Sequence, residues 1–237
     1  MKDVSFEPRD LRANAPDADG DTPSLRQSVY EGLRYRLITG KIAPGVGIST
    51  RGLAQQLGVS QMPVRDALSR LAAEGAVEIR SKRKIMVPTM SRSRFEEIMR
   101  CRLLLEPAAA ADALPHIDAA RLRAIREADD QTDIALKGGD VNGYMEANFR
   151  FHSMIYRAHR MDTLNRMIEM LWMQFGPFMR VVYGRYGTAN LVDQHAVAIQ
   201  AIADKDAEKL QRAIYDDIGD GMNLIREGEL GEDAMAA

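Results

Sequence analysis

The chain has 237 residues, of which 46% are hydrophobic and 28% charged, and its formal net charge is −2. This composition is ordinary for a globular protein and the length allows about two domains, so disorder-dominated and membrane classes do not fit. The single cysteine, Cys101, excludes an intrachain disulfide, and no apolar run is long enough for a signal peptide or a membrane span, so we expect a cytoplasmic protein.

The charges are unevenly distributed along the chain. Residues 1–20 carry 3 basic and 5 acidic residues, residues 21–90 carry 11 and 5, and residues 91–237 carry 18 and 24. A basic N-terminal unit followed by a larger acidic unit is typical of a protein that binds nucleic acid with its first domain alone. Residues 1–22 are rich in Asp, Ala and Pro without periodicity, which predicts a flexible arm.

The segment 44–75 predicts two short helices around a tight turn. The first is expected over about 50–57, and Gly58 can take the positive φ that a tight helix exit needs. Ser60 is a suitable N-cap for the second helix, and Pro63 is tolerated in its first turn. The apolar residues that repeat at the helical period, and must face a core, are Leu53, Ala54, Leu57, Val64, Ala67, Leu68 and Leu71.

The outward face of the second helix then carries Met62, Arg65, Asp66 and Ser69. A helix presented in this way by a helix-turn-helix is typical of a probe for the DNA major groove. Two β-prone runs follow at 77–80 and 84–87, joined by the charged tip 81–84, and they predict a hairpin beside the helices. Helices followed by such a hairpin make a winged helix.

This part of the chain resembles the DNA-binding domain of GntR-family regulators. The matching residues are Ile38, Gly40, Pro44, Gly45, Leu53, Ala54, Leu57, Gly58, Val59, Ser60, Pro63, Val64, Arg65, Ala67, Leu68, Leu71, Glu74 and Gly75. The resemblance implies a DNA-binding domain over 23–90. The positions that it implies for DNA contact are Arg51, Ser60, Gln61, Met62 and Arg65, with Lys82 at the tip of the wing.

Three residues depart from the family pattern. The family usually has Arg-Thr where this chain has Gln61 and Met62, and Gly where it has Lys82. A glutamine can pair with an adenine edge where an arginine favours guanine, and a lysine suits a phosphate. The operator sequence of other family members therefore does not carry over to this chain.

From about residue 91 the β signals disappear and the sequence predicts helices. They are expected near 92–113, 118–137, 140–159, 161–184, 189–204 and 206–227. Pro177 should kink or split the fourth of them. Short connections favour antiparallel neighbours, so we predict an all-α antiparallel bundle over 91–230 and a mostly α protein with an N-terminal winged helix-turn-helix domain.

Polar residues interrupt the apolar faces of these helices at Arg102, Asn148, His152, His195 and Asp217. Buried charges and imidazoles must be paired or ligated, so five such groups from four helices suggest a single polar cavity. Two imidazoles, a carboxylate and an amide oxygen are a plausible ligand set for a divalent transition metal such as Zn, Ni, Mn or Fe. A metal-free hydrogen-bond network among the same groups is the alternative.

The helical part also resembles the FCD-type effector domain of the FadR subgroup of GntR regulators. The matching residues are Arg102, Glu106, Asn148, Phe151, His152, His195, Ala201, Ile202 and Asp206 and the segment that ends at Ile218. The resemblance implies that Asn148, His152 and His195 bind a metal and that Arg102 meets a carboxylate effector. This chain has Asp217 where the family has a third histidine, and Arg102 can instead form an intrahelical pair with Glu106.

These patterns predict a ligand-responsive transcriptional regulator, by analogy a repressor, that binds a near-palindromic double-stranded operator as a homodimer. An organic acid would bridge the metal and Arg102 and change the spacing of the two DNA-binding domains. We predict no catalytic residue. The alternatives are a metal-free regulator and a metal-dependent enzyme with a DNA-binding appendage, in which two His and an Asp would activate water.

Overall fold

The structure is a computed structural model that describes residues 24–81, 84–186 and 193–227. The predicted arm at 1–22 and Lys82 at the predicted wing tip lie outside the described residues. The description confirms a mostly α chain with a winged helix-turn-helix followed by a helical bundle. None of the helices within those ranges is both long and apolar enough to cross a bilayer.

Within residues 24–81 and 84–90, the N-terminal unit contains three helices and a small sheet. Its elements are α1 (Leu25–Ile38), β1 (Gly47–Ile48), α2 (Thr50–Leu57), α3 (Gln61–Ala73), β2 (Glu78–Ser81) and β3 (Lys84–Met86). The sheet order is β1-β3-β2 with antiparallel pairing, and Ile85 lies opposite both Ile48 and Ile79. The predicted hairpin is therefore confirmed, and β1 adds a third strand to it.

The turn between α2 and α3 forms as its sequence predicts. The Ser49 hydroxyl accepts a hydrogen bond from the Gly52 amide at 3.1 Å and so caps α2. Gly58 ends α2 with φ 66°, in the left-handed region where a side chain would be unfavourable. Ser60 occupies the N-cap position of α3 in extended conformation, but its hydroxyl makes no capping hydrogen bond to the helix.

The C-terminal unit contains six α-helices within the described residues. They are α4 (Arg92–Ala113), α5 (Ala119–Lys137), α6 (Val141–Tyr156), α7 (Asp162–Tyr186), α8 (Gln194–Asp204) and α9 (Ala207–Glu227), with a single 3-10 turn at Leu114–His116 after α4. Pro177 does not split α7, which continues through it. Helix α6 ends at Tyr156, three residues before the predicted end, because the chain turns there to enter α7.

The packing of these helices places the candidate site. Helix α5 lies against α6, α4 lies against α9 and α7, and α8 lies against α9. The N-terminal unit joins this bundle through α1, which packs against both α3 and α7. One continuous cluster of buried apolar residues therefore runs from the helix-turn-helix into the bundle, and α7 is shared between the two.

Candidate functional site

The predicted DNA-contacting residues share one exposed face of the helix-turn-helix. Among them, the described ones are Arg51, Ser60, Gln61, Met62 and Arg65, and all five are exposed. Met62 is 55% exposed although it is apolar. The opposite face of α3 is buried as predicted, at Val64, Ala67, Leu68 and Leu71.

The charges on this face are available to a partner. Within the described residues, Arg51 and Arg65 form no hydrogen bond or ion pair with the protein. The nearby acidic residue Asp66 is held by Arg26 at 3.4 Å in an exposed ion pair. Two exposed guanidinium groups, Arg51 on α2 and Arg65 on α3, suit phosphate or base contacts on DNA.

Three of the predicted metal ligands meet inside the helical bundle. His152 on α6, His195 on α8 and Asp217 on α9 each offer one ligand atom, and these atoms lie within 4.8 Å of one another. The Nε2 atom of His152 is 3.2 Å from one Asp217 oxygen, and that of His195 is 3.8 Å from the other. Asn148 is also buried and precedes His152 by one helical turn.

The second ring nitrogen of each histidine has its own partner. Nδ1 of His195 lies 2.8 Å from a carboxylate oxygen of Asp129 on α5, which can only accept, so this nitrogen carries the proton. Nδ1 of His152 lies 3.0 Å from the Tyr156 hydroxyl. That hydroxyl donates its one proton to Glu106 at 3.0 Å, so it accepts from Nδ1 of His152.

The charge state of Glu106 supports this assignment. One Glu106 oxygen accepts from Nε of Arg102 at 2.7 Å, and the other accepts from the Tyr156 hydroxyl and from the Trp172 indole at 3.1 Å. Burial and the neighbouring Glu106 charge raise the pKa of Tyr156, so the hydroxyl keeps its proton. Glu106 is therefore an ionised acceptor at the centre of the network.

The two histidines consequently point their remaining lone pairs toward Asp217. A neutral imidazole protonated at Nδ1 has only an acceptor at Nε2, and both Nε2 atoms face carboxylate oxygens. Acceptors converging at these distances repel one another unless a cation lies among them. The donor set thus fits either a shared proton or a divalent metal, with two imidazole nitrogens and one carboxylate in place.

The titration of the site is consistent with a demand for positive charge. Burial lowers the pKa of His195, but the hydrogen bond to Asp129 and the Asp217 charge outweigh it and leave that pKa raised. Burial raises the pKa of Asp217, but a protonated His152, which can donate to it, and the positive charges of His195 and Arg102 outweigh burial and leave that pKa lowered. The site therefore favours an ionised Asp217 beside a cation.

Arg102, the predicted effector residue, lies at the edge of the same network. It is 4% exposed, and it forms the intrahelical pair with Glu106 that the sequence offered as an alternative. Its guanidinium also lies over the rings of Trp172 and Phe175, at 4.7 and 4.9 Å from their centroids. Glu106 accepts the Nε–H of Arg102, and the guanidinium has four further N–H groups that can donate.

Three side chains of the polar network were not predicted from the sequence. No role was predicted for Asp129, which accepts from His195, or for Tyr156, whose hydroxyl joins His152 to Glu106. Trp172 was likewise not predicted, and it donates to Glu106 and lies 5.5 Å from the His152 ring. The one available signal was spacing, because Tyr156 follows His152 by one helical turn.

Comparison with known protein families gives matches over both units. Residues 25–87 match the model "Bacterial regulatory proteins, gntR family", and residues 97–220 match the model "FCD domain". The second match alone spans more than half of the chain.

Individual proteins agree with these matches. The chain is 31% identical over 188 residues to the HTH-type transcriptional regulator McbR of Escherichia coli K12, covering 78% of this chain and 85% of that protein. It is 26% identical to the gluconate operon transcriptional repressor of Bacillus subtilis 168, covering 87% of each. The solved structure of E. coli McbR/YncC superposes with a TM-score of 0.81 at 28% identity, covering 87% of this chain and 99% of that one.

Proposed function

The chain belongs to the GntR family of bacterial regulatory proteins and carries an FCD domain, so it is a transcriptional regulator, and we propose that it is a repressor switched by a small organic carboxylate that binds through a divalent metal. The name of the gluconate operon repressor among its relatives supports the repressor role. We place its action on operator DNA in the cytoplasm.

The observation that carries the metal proposal is the orientation of the two imidazoles. Asp129 and Tyr156 hold the protons on Nδ1 of His195 and His152, so both Nε2 lone pairs converge on Asp217. Metal-ligating histidines characteristically donate their other ring N–H to a carboxylate or a similar acceptor. The arrangement around Asp217 has this property twice.

Asn148 is the fourth proposed ligand because it lies buried one turn before His152 on α6. The set would then offer two nitrogens, one carboxylate and one amide oxygen. Such a mixture suits Zn, Ni, Mn or Fe. The ligand set carries one formal negative charge, so a divalent ion bound there would keep a net charge of about +1. A divalent ion bound there would supply positive charge and an open coordination position to an anionic ligand.

Arg102 is the residue that we propose for the effector carboxylate. Glu106 fixes its Nε–H, and the aromatic rings of Trp172 and Phe175 hold the plane of the guanidinium. A fixed guanidinium presents paired N–H donors that match a carboxylate. Arg102 lies over the Trp172 ring at 4.7 Å, and that ring lies 5.5 Å from the ring of His152, so we place the effector between Arg102 and the ligand cluster.

For the DNA-binding unit we propose a homodimer on a near-palindromic operator. Each unit presents only a small face, with Arg51 exposed on α2, Ser60 exposed at the N-cap of α3, and Gln61 and Arg65 exposed on α3 itself. A single small face makes few phosphate contacts, and two-fold pairing places two such faces in successive major grooves. Lys82 would reach the phosphate backbone from the wing, and Met62 would contact a base or sugar.

The metal-free regulator is the competing proposal. Its support is that Arg102 and Glu106 already form a close ion pair, and that Asp129, Tyr156 and Glu106 give most polar atoms of the network a partner within the protein. In that case a proton on one imidazole would satisfy Asp217. Metal content separates the two proposals directly.

The experiment compares two double-histidine variants of the untagged protein. The chain has four histidines, so His152→Ala with His195→Ala has a matched control in His116→Ala with His159→Ala. Each protein is purified without chelator and its metals are measured by mass spectrometry. We expect about one equivalent of a divalent transition metal in the wild type and in the control, and almost none in the site variant. Equal content in the two variants would contradict the metal proposal.

A further inference from the structure

Helix α7 carries two adjacent stripes of residues that face different partners. The first, which we call the site stripe, comprises Ile168, Trp172, Phe175 and Met179, all buried in the bundle. The second, which we call the joint stripe, comprises Glu169, Gly176 and Arg180 and faces α1. Both stripes follow the helical spacing of three and four residues, so a movement of α7 changes both sets of contacts at once.

The site stripe contacts the polar network around the proposed metal ligands through Trp172 and Phe175. Trp172 donates to Glu106 and lies 5.5 Å from the ring of His152. Arg102 lies over both Trp172 and Phe175. A change in the position of His152 or Arg102 must therefore be accommodated by these two aromatic side chains, because the interior around them is closely packed.

The joint stripe touches the DNA-binding unit backbone to backbone. A Cβ atom added at Gly176 would lie 2.5 Å from the carbonyl oxygen of Leu37 and closer still to that of Ile38, at the end of α1. Gly40, just after α1, has φ +65°, and a Cβ atom added there would lie 2.6 Å from Cβ of Arg180 and 2.8 Å from the Gly176 carbonyl oxygen. Two turns before Gly176 on α7, Glu169 pairs with Arg34 of α1 at 2.5 Å. Only glycine allows the backbones of α7 and the end of α1 to meet this closely.

A second contact ties α7 to the recognition helix. The Gln174 side chain donates to the carbonyl of Glu74, the C-cap of α3, at 3.0 Å. Pro177 lies beside the crossing point and has no N–H, so the carbonyl of Met173 loses its helical partner there. Helix α7 is thus easiest to bend at the point where it meets α1.

We infer that α7 transmits occupancy of the metal site to the DNA-binding unit through the contact of Gly176 with the end of α1. This inference rests on the proposed metal site and adds its regulation. When a divalent ion is bound, His152, His195 and Asp217 adjust to its coordination geometry, the site stripe repacks and α7 shifts against α1. Because α1 packs on α3, the shift changes how the recognition helix is presented.

The test measures coupling with nickel ion alone as the ligand. Trp172 is the only tryptophan in the chain, so its fluorescence follows nickel binding at the site itself. The affinity for an operator that the wild type selects from a random DNA pool is then measured with and without nickel. In the wild type we expect a change of about fivefold or more, which is the usual scale of coupling between two sites.

The decisive variant is Gly176→Ala, whose added methyl must push α1 away because backbone atoms oppose it. We expect nickel to bind within about twofold of the wild type and to change operator affinity by less than about twofold. The control is Gly219→Ala, a helical glycine of α9 where an added Cβ meets nothing within 4 Å. It should keep the wild-type response.

Three outcomes are distinguishable. Nickel that fails to bind the wild type overturns the proposed function, and the coupling with it. Nickel that binds but acts equally on the wild type and Gly176→Ala, or on neither, overturns the coupling alone. If Gly176→Ala does not fold, hydrogen exchange of the wild type decides: nickel should change the exchange of amides 34–42, and unchanged exchange there overturns the inference.

Discussion

The helix-turn-helix and the polar site of the bundle hold their charged side chains in opposite ways. Arg65 stands exposed on α3 with no ion pair among the described residues, whereas Arg102 is 4% exposed and bonded to Glu106. The first arrangement leaves a charge free for a large partner in solvent. The second keeps a charge inside the protein and allows only a small ligand to approach it.

The difference has an energetic consequence. An exposed arginine keeps its hydration, so its removal changes binding to DNA and leaves folding almost untouched. A buried charge has given up its hydration and depends on its partner, so loss of that partner destabilises the fold. Substitutions in the two regions should therefore separate into binding effects and stability effects.

The sharpest form of this comparison lies within one helix. Helix α4 contains two Arg-Glu pairs at the same spacing, Arg92 with Glu96 on the surface and Arg102 with Glu106 inside. Glu106→Gln leaves a buried guanidinium uncompensated and should lower the free energy of unfolding by about 3–5 kcal/mol. Glu96→Gln should lower it by less than about 1 kcal/mol. Urea unfolding measures both, and similar losses would contradict the contrast.

The DNA face should give the reverse result. Replacing both Arg51 and Arg65 by alanine should weaken operator binding by at least about 2 kcal/mol and flatten its dependence on salt. The melting temperature should stay within a degree or two of the wild type. The control replaces two exposed arginines of α5, Arg123 and Arg126, and should leave operator affinity unchanged. A loss of affinity in both double variants would point to net charge rather than to this face.

Asp129 offers a smaller and more specific test of the polar site. Asp129→Asn removes the carboxylate that orients His195 while leaving all four proposed ligands in place. We expect nickel affinity to fall about tenfold or more, as when the outer partner of a metal-binding histidine is removed. The neighbouring Asp130 is exposed, and Asp130→Asn should bind nickel like the wild type. Unchanged affinity in Asp129→Asn would contradict the orienting role.

The sequence was sufficient for the helix-turn-helix because the determinants there are local. Gly58, the buried positions of α3 and the exposed Arg65 follow from helical spacing and turn chemistry within about thirty residues. The capping bond of Ser60 is the exception: the residue is in place and the hydrogen bond is absent. A suitable side chain at an N-cap makes the bond available, and the rotamer decides whether it forms.

The polar site could be predicted only in part, because its connections join distant segments. The inward positions of His152, His195 and Arg102 followed from periodicity, and the structure brings the two histidines together with Asp217. The bond from His195 to Asp129 spans 66 residues and that from Tyr156 to Glu106 spans 50. Helical spacing says which face a residue occupies, but not which other helix lies opposite.

The smallest expected effect concerns the pH dependence of the metal-free protein. The pKa of His195 is raised above its ordinary value of 6.5 in the folded state, chiefly because the hydrogen bond to Asp129 and the Asp217 charge outweigh burial. This interaction therefore stabilises the fold at pH values below 6.5 and is lost as the pH rises through the folded pKa. The pKa of Asp217 is lowered, so that residue stays ionised throughout this range.

Asp129→Asn removes the hydrogen-bond contribution and with it part of the pH dependence. In chelator-treated protein, the difference in melting temperature between the wild type and Asp129→Asn should be larger at about pH 6 than at about pH 8. Asp130→Asn should show no such trend, because it does not contact His195. A difference in melting temperature that stays constant across this range would mean that His195 pairs with Asp129 without taking up an additional proton. In that case only a proton on His152 could supply the positive charge beside Asp217 in the metal-free protein.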